Sequence, residues 1–110
     1  MKILVYGTLK RGHDAHSLMG KAKFLGEYTT LPEYTMFDLG SYPGVIGSGA
    51  LPVSGELYDV DEVTLKRLDR YEGHPNLYRR TELKEDDTIS MYLYQRAVPL
   101  RATVISDGTW

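Results

Sequence analysis

Apolar positions along the chain indicate a strand-rich protein. The run from Lys2 to Tyr6 is apolar and partly β-branched, and Gly7 stops it, which predicts a buried strand followed by a loop. Segments of strand-like composition, or with alternating apolar and polar residues, predict further strands at residues 23–30, 33–37, 54–60, 78–84 and 88–94, with a last one from residue 101. The segments at 78–84 and 88–94 are expected to form a hairpin. Residues 38–53 are rich in Gly, Pro and Ser, which predicts a loop, and residues 13–19 predict a short helix.

One segment has a clear helical pattern, from Asp59 to Tyr71. Asp59 with Glu62 three residues later is a capping-box pattern, and Gly73 and Pro75 predict the helix end. Many strands with one main helix make an α+β protein, and the simplest closed form is a small mixed β-barrel.

Composition narrows the class of protein. The chain has 110 residues, which predicts a single domain over residues 1–110, and a net charge of −2 argues against a nucleic-acid partner. No apolar run is long enough to predict a membrane span, and no signal peptide is expected. The absence of cysteine excludes thiol chemistry and fits a cytoplasmic location. The oligomeric state stays open.

Glu72 is the most informative single residue. It follows Leu65 by seven positions and Leu68 by four, so it lies on the same helical face as these leucines. A carboxylate that is buried at the negative end of a helix has a raised pKa and makes a better base near neutral pH. Periodicity alone favours a frayed, solvent-exposed helix terminus, so another signal is needed to support a functional role.

That signal is a set of motifs in a fixed order along the chain. They are YGTLKRG after the first strand, Tyr42-Pro43, GELY before the helix, and LDRYEGHPNLYRRT from its last turns onward. Together they resemble the gamma-glutamylcyclotransferase-like superfamily, and most closely its gamma-glutamylamine cyclotransferase branch. The resemblance covers most of the chain but weakens after Tyr94.

The resemblance implies both an activity and its residues. Glu72 would be the catalytic base and acid, and the loop of Tyr6, Gly7, Thr8 and Leu9 would hold the glutamyl group and the developing oxyanion. The reaction would be the attack of an α-amine on its own gamma-carbonyl, which releases 5-oxoproline and an amine from a small gamma-glutamyl substrate. Such a reaction needs no metal and no cofactor.

Several of the expected site residues also have a purely structural interpretation. The loop can be a plain turn after the first strand, and Tyr78 and Tyr42 can either line the pocket or pack in the core. The basic pair Arg79-Arg80 and His74 are expected to face solvent. At the level of function, the alternatives are a non-catalytic binding module with the same pocket and a biosynthetic deprotecting cyclotransferase with another leaving amine.

Overall fold

The computed structural model describes all residues from Met1 to Trp110 and contains eight strands, one α-helix and one short 3₁₀ helix. The strands are β1 (Lys2–Val5), β2 (Lys23–Thr29), β3 (Tyr34–Asp38), β4 (Pro43–Leu51), β5 (Ser54–Asp59), β6 (Tyr78–Glu82), β7 (Ile89–Tyr94) and β8 (Thr103–Val104). The 3₁₀ helix spans His16–Met19 and the α-helix, α1, spans Glu62–Glu72. None of the helices has the length and apolarity that a membrane span requires.

The strands form two separate sheets. The larger has the order β2-β5-β1-β7-β6, in which β1 is antiparallel to β5 and parallel to β7, and the smaller has the order β4-β3-β8. The α+β class and the β6–β7 hairpin are therefore confirmed. The closed barrel is wrong: the larger sheet ends at β2 and β6 without a bond between them, because the chain after β2 pairs within the second sheet.

β1 is covered on both faces, which explains its nearly continuous apolar sequence. Ile3 and Val5 belong to a core cluster with Leu68 of α1, while Leu4 and the following Tyr6 belong to a second cluster with β3 and β4. Successive side chains of a strand point to opposite faces, so one face meets the helix and the other meets the smaller sheet. The end of β1 is thus held from both sides.

The predicted loop at residues 38–53 is wrong, since most of it is β4. β4 has nine residues, from Pro43 to Leu51, and five of them pair with β3. Lys84 also donates a hydrogen bond of 2.7 Å to the carbonyl oxygen of Gly47. Glycine is disfavoured in strands, and here cross-strand partners outweigh that preference. The start of β4 brings Tyr42 and Pro43 to the end of β1.

α1 begins two residues later than predicted. Asp61 is the N-cap, and its carboxylate accepts a hydrogen bond of 2.7 Å from the N–H of Thr64. Asp59 is instead the last residue of β5 and pairs with the N-terminal amine. The predicted end is confirmed: Gly73 caps the helix with φ 66° and ψ 35°, a left-handed conformation that favours glycine.

Candidate active site

A cavity of about 220 Å³ opens at the end of β1. Its walls come from the loop after β1, the last turn of α1, the start of β4, and strands β6 and β7. Most lining side chains are apolar or aromatic. The lining residues are Leu4, Val5, Tyr6, Gly7, Thr8, Leu9, Tyr42, Pro43, Tyr71, Glu72, Leu77, Tyr78 and Tyr92. All seven site residues expected from the sequence are among them.

Glu72 is the only acidic side chain that lines the cavity. It is the last residue of α1, on the face of the buried Leu68. Its carboxylate takes part in none of the protein's salt bridges, and burial raises its pKa to about 7. A carboxylate with this pKa can both accept and donate a proton near neutral pH.

The loop from Gly7 to Leu9, which lines the same cavity as Glu72, has backbone N–H groups without a hydrogen-bond partner in the protein. The carbonyl oxygens of Gly7 and Thr8 accept hydrogen bonds from the N–H groups of Lys10 and Ala15. The N–H groups of Gly7, Thr8 and Leu9 themselves donate to no backbone acceptor. Consecutive free N–H groups at a cavity wall form a cradle suited to an anion or a developing oxyanion.

Gly7 is required by close packing. A Cβ atom at this position would lie 2.8 Å from Cγ and 2.9 Å from Cδ of Pro43. No carbon contact of this length is tolerated, so a side chain at Gly7 would displace the start of β4. Pro43 in turn accepts a hydrogen bond of 2.8 Å from the Tyr78 hydroxyl, which links this wall to β6.

Glu56 of the GELY motif fixes the far end of the loop. Its Oε1 accepts a hydrogen bond of 2.9 Å from the N–H of Arg11 and one of 3.0 Å from the Tyr58 hydroxyl. Although burial favours the neutral acid, these hydrogen bonds and the Arg11 charge hold the pKa of Glu56 below its usual range. The motif therefore supports the loop without lining the cavity.

Most of the tyrosine hydroxyls around the cavity form hydrogen bonds within the protein. Tyr6 donates to the carbonyl oxygen of Tyr92 at 2.6 Å, and Tyr78 donates to that of Pro43. Burial raises the pKa of both Tyr6 and Tyr78. Tyr78 thus presents its ring to the cavity while its hydroxyl is used by β4, and Tyr42 lies at the mouth with 42% of its surface exposed.

Sequence reasoning missed Tyr71. Its side chain is 46% exposed, and its hydroxyl lies 2.9 Å from Oγ1 of Thr8. The pair joins the helix end to the loop across the cavity mouth. Its place in the LDRYE motif, directly before Glu72, was the only signal for this position.

Sequence reasoning also missed the partners of Arg80, which was expected to be solvated. Arg80 binds Asp69 of α1 through two hydrogen bonds of 3.1 Å each. Its backbone N–H donates to Nδ1 of His74 at 3.0 Å, so His74 is not simply a solvent-facing residue. The available signal was the order of charged residues in the sequence: Asp69 lies three residues before Glu72 in LDRYE, and Arg80 lies in the YRRT segment that follows.

The arrangement provides two chemical capabilities in one cavity. An unpaired carboxylate of raised pKa can move a proton, and free N–H groups can stabilise negative charge on a substrate oxygen. The apolar lining strengthens both effects by lowering the local polarity.

The sequence is similar to those of known proteins along most of its length. The profile of the family described as "Gamma-glutamyl cyclotransferase, AIG2-like" matches residues 3–110. A Vibrio cholerae protein, provisionally assigned as a gamma-glutamylcyclotransferase, is 40% identical over 109 residues, which cover 98% of this chain and 93% of that one. The gamma-glutamylaminecyclotransferase of Rattus norvegicus is 40% identical over 92 residues, covering 74% of this chain and 61% of the rat protein.

Solved structures agree with the sequence comparison. The solution structure of the Escherichia coli protein ytfP superposes with a TM-score of 0.76 at 35% identity, covering all of this chain and 96% of that one. The match includes both sheets and the helix that carries Glu72. The chain belongs to the AIG2-like gamma-glutamyl cyclotransferase family.

Proposed function

We propose that the protein is a gamma-glutamyl cyclotransferase that acts on L-gamma-glutamyl amines or related amides. The observation that carries the proposal is the unpaired Glu72 carboxylate, with a pKa of about 7, in one cavity with the free N–H groups of the loop. The name of the rat relative supports an amine as the leaving group. A cytoplasmic location and a small-molecule substrate are parts of this proposal.

In the proposed mechanism Glu72 begins as a base. It takes a proton from the α-ammonium group of the substrate, and the freed amine attacks the gamma-carbonyl carbon to close a five-membered ring. The carbonyl oxygen becomes an oxyanion, which the N–H groups of Gly7, Thr8 and Leu9 stabilise.

Glu72 then acts as an acid. It returns its proton to the nitrogen of the scissile amide, the carbon–nitrogen bond breaks, and 5-oxoproline and the amine are released. The ring nitrogen loses its second proton, which the released amine takes up to leave as an ammonium ion. One carboxyl group can serve both steps, because a group whose pKa lies near neutral pH both accepts and donates a proton readily.

Glu72→Gln tests the mechanism. The amide keeps the shape of the side chain but accepts no proton near neutral pH, so kcat for 5-oxoproline release should fall by about 10² to 10⁴. Substrate binding should change far less, because the loop is intact. The measurements are 5-oxoproline release over a panel of gamma-glutamyl amines and calorimetric binding of the same compounds.

Glu62→Gln is the matched control, since Glu62 is an exposed residue in the first turn of the same helix. It should retain wild-type turnover. Near-wild-type turnover in Glu72→Gln would remove Glu72 from the mechanism. A wild-type protein that binds the panel and releases no 5-oxoproline would instead establish the non-catalytic binding module.

A further inference from the structure

Tyr92 of β7 connects the two walls of the cavity that carry the proposed chemistry. Its hydroxyl donates a hydrogen bond of 2.6 Å to Oδ1 of Asp69, in the last turn of α1. Its backbone carbonyl oxygen accepts the bond of 2.6 Å from Tyr6, the residue just before Gly7. One residue therefore holds both the helix end and the start of the loop.

The helix side of this connection is held firmly. Asp69 also accepts the two hydrogen bonds from Arg80, and both side chains of the pair are at least three-quarters buried. Although burial favours the neutral acid, hydrogen bonds from Arg80 and Tyr92 hold the pKa of Asp69 below its usual range. Asp69 thus stays a charged, fixed acceptor three residues before Glu72.

The loop side is also held. The Tyr6 hydroxyl donates to Tyr92 and accepts a hydrogen bond of 3.3 Å from the N–H of Val45 in β4. Tyr6 is buried, so this hydroxyl has no water to replace either partner. The position of the first loop residue is therefore fixed relative to β7.

We propose that Tyr92 is a positioning residue that sets the separation between Glu72 and the donor groups of the loop. The inference rests on the proposed function. The ionisable groups that face Glu72 from the packed elements are tyrosines, namely Tyr6 after β1, Tyr78 on β6 and Tyr92 on β7. Since no cation faces it, the orientation of Glu72 depends on how its helix turn is held.

Tyr92→Phe separates positioning from packing. The variant keeps the ring in the core and keeps the carbonyl oxygen that binds Tyr6, so only the bond to Asp69 is lost. The helix end should loosen, and kcat should fall at least about tenfold because small displacements of a catalytic group are costly. KM should change much less, because the loop and its donors are retained.

A second readout reports on Glu72 directly. Carbon-13 NMR of the Glu72 carboxyl group should show its titration move from near pH 7 in the wild type toward 4.5, by about one pH unit or more, as water gains access. A purely structural role for the Tyr92 hydroxyl would lower the thermal midpoint but leave this titration unchanged.

Tyr94→Phe is the matched control. Tyr94 lies two residues further along β7, on the same face, and packs against Tyr78 with ring centroids 5.3 Å apart. Its substitution removes a hydroxyl group from the same strand without touching Asp69 or Tyr6. We expect wild-type kcat and an unchanged Glu72 titration in this variant.

Tyr6→Phe supplies an independent test at the other end of the connection, should Tyr92→Phe fold poorly. It should lower kcat at least about tenfold while the Glu72 titration stays near its wild-type position. A wild-type Glu72 titration in a folded Tyr92→Phe, or wild-type kcat in a folded Tyr92→Phe or Tyr6→Phe, would overturn the proposal. If the wild type releases no 5-oxoproline, the proposed function fails, and the titration in Tyr92→Phe still decides whether Tyr92 positions Glu72.

Discussion

Most tyrosine hydroxyls around the cavity form hydrogen bonds with protein groups, and Glu72 is the only acidic side chain that lines the cavity. Tyr6 and Tyr78 donate to backbone carbonyl oxygens, Tyr92 donates to Asp69, and Tyr71 pairs with Thr8. Each ring supplies apolar wall while its hydroxyl connects neighbouring elements. Burial raises the pKa of the Glu72 carboxylate to about 7.

Gly7→Ala should impair the site by displacing Pro43. The new methyl group would lie within 3 Å of the Pro43 ring, so the start of β4 must shift, and the acceptor of the Tyr78 hydroxyl shifts with it. Overpacking of this kind costs about 1 to 3 kcal/mol of unfolding free energy. We expect that loss in urea denaturation, together with at least about a tenfold fall in kcat/KM.

Gly47→Ala is the control for this prediction. Gly47 lies further along β4, where an added Cβ would meet only the Leu93 side chain at 3.4 Å, an ordinary contact. It should be within about 0.5 kcal/mol of wild type, as surface substitutions usually are. Equal effects of the two substitutions would contradict the packing argument for Gly7.

At the scale of elements, the position of the α1 N-cap makes a direct prediction. Asp61→Ala removes the carboxylate that accepts from the Thr64 N–H and should lower the unfolding free energy by about 1 kcal/mol. The cavity lies at the opposite end of the helix, so KM and kcat should be nearly unchanged in the folded variant. Urea denaturation and steady-state kinetics measure the two effects.

Asp59→Ala compares the sequence-based cap with the observed one. Asp59 is more than half exposed, and its only ion pair is with the N-terminal amine, so its loss should cost less than about 0.5 kcal/mol. A larger loss for Asp59→Ala than for Asp61→Ala would show that the helix starts where the sequence pattern placed it.

Sequence patterns located the elements that have regular apolar spacing. β1, the hairpin and the helix end at Gly73 were predictable, because their signals are local. β4 was not, because its glycines and proline suggest a loop and only the partner strand β3 stabilises it. The N-cap was misplaced because Asp59 and Asp61 both suit the role, and only the end of β5 decides between them.

Sequence motifs predicted part of the site, and the residues whose roles depend on tertiary contacts were not predictable. Glu72 and the loop from Tyr6 to Leu9 came from motif order, and the structure brings them to one cavity. Tyr92 and Arg80 act through partners distant in sequence, which no local pattern specifies. The catalytic roles themselves stay predictions until they are measured.

At the scale of the whole molecule, Glu72 makes folding stability depend on pH. Below pH 4.5 Glu72 is protonated in both the folded and the unfolded state, so it does not lower the unfolding free energy. Between about 4.5 and 7 only the unfolded state is ionised, so stability falls as pH rises through this window. Above pH 7 the cost is complete, at about 2 to 3 kcal/mol after allowance for partial exposure.

Glu72→Gln should therefore become more stable than wild type as pH rises. The difference in unfolding free energy should be near zero at pH 4, grow through pH 5.5, and reach about 2 to 3 kcal/mol at pH 8. Urea denaturation at the three pH values measures it, with the exposed Glu62→Gln as a variant that should show no such trend. A difference independent of pH would mean that Glu72 is not buried as described.

The central place of β1 in its sheet has a consequence for biosynthesis. β1 is made before either of its neighbours: β5 follows about fifty residues later, and β7, its parallel partner, almost ninety. Such long-range pairing is intrinsically slow, so a nascent chain carries an apolar segment that stays unpaired while most of the protein is translated. The two halves of the cavity meet only when β7 has left the ribosome, so a partly made chain has no competent site.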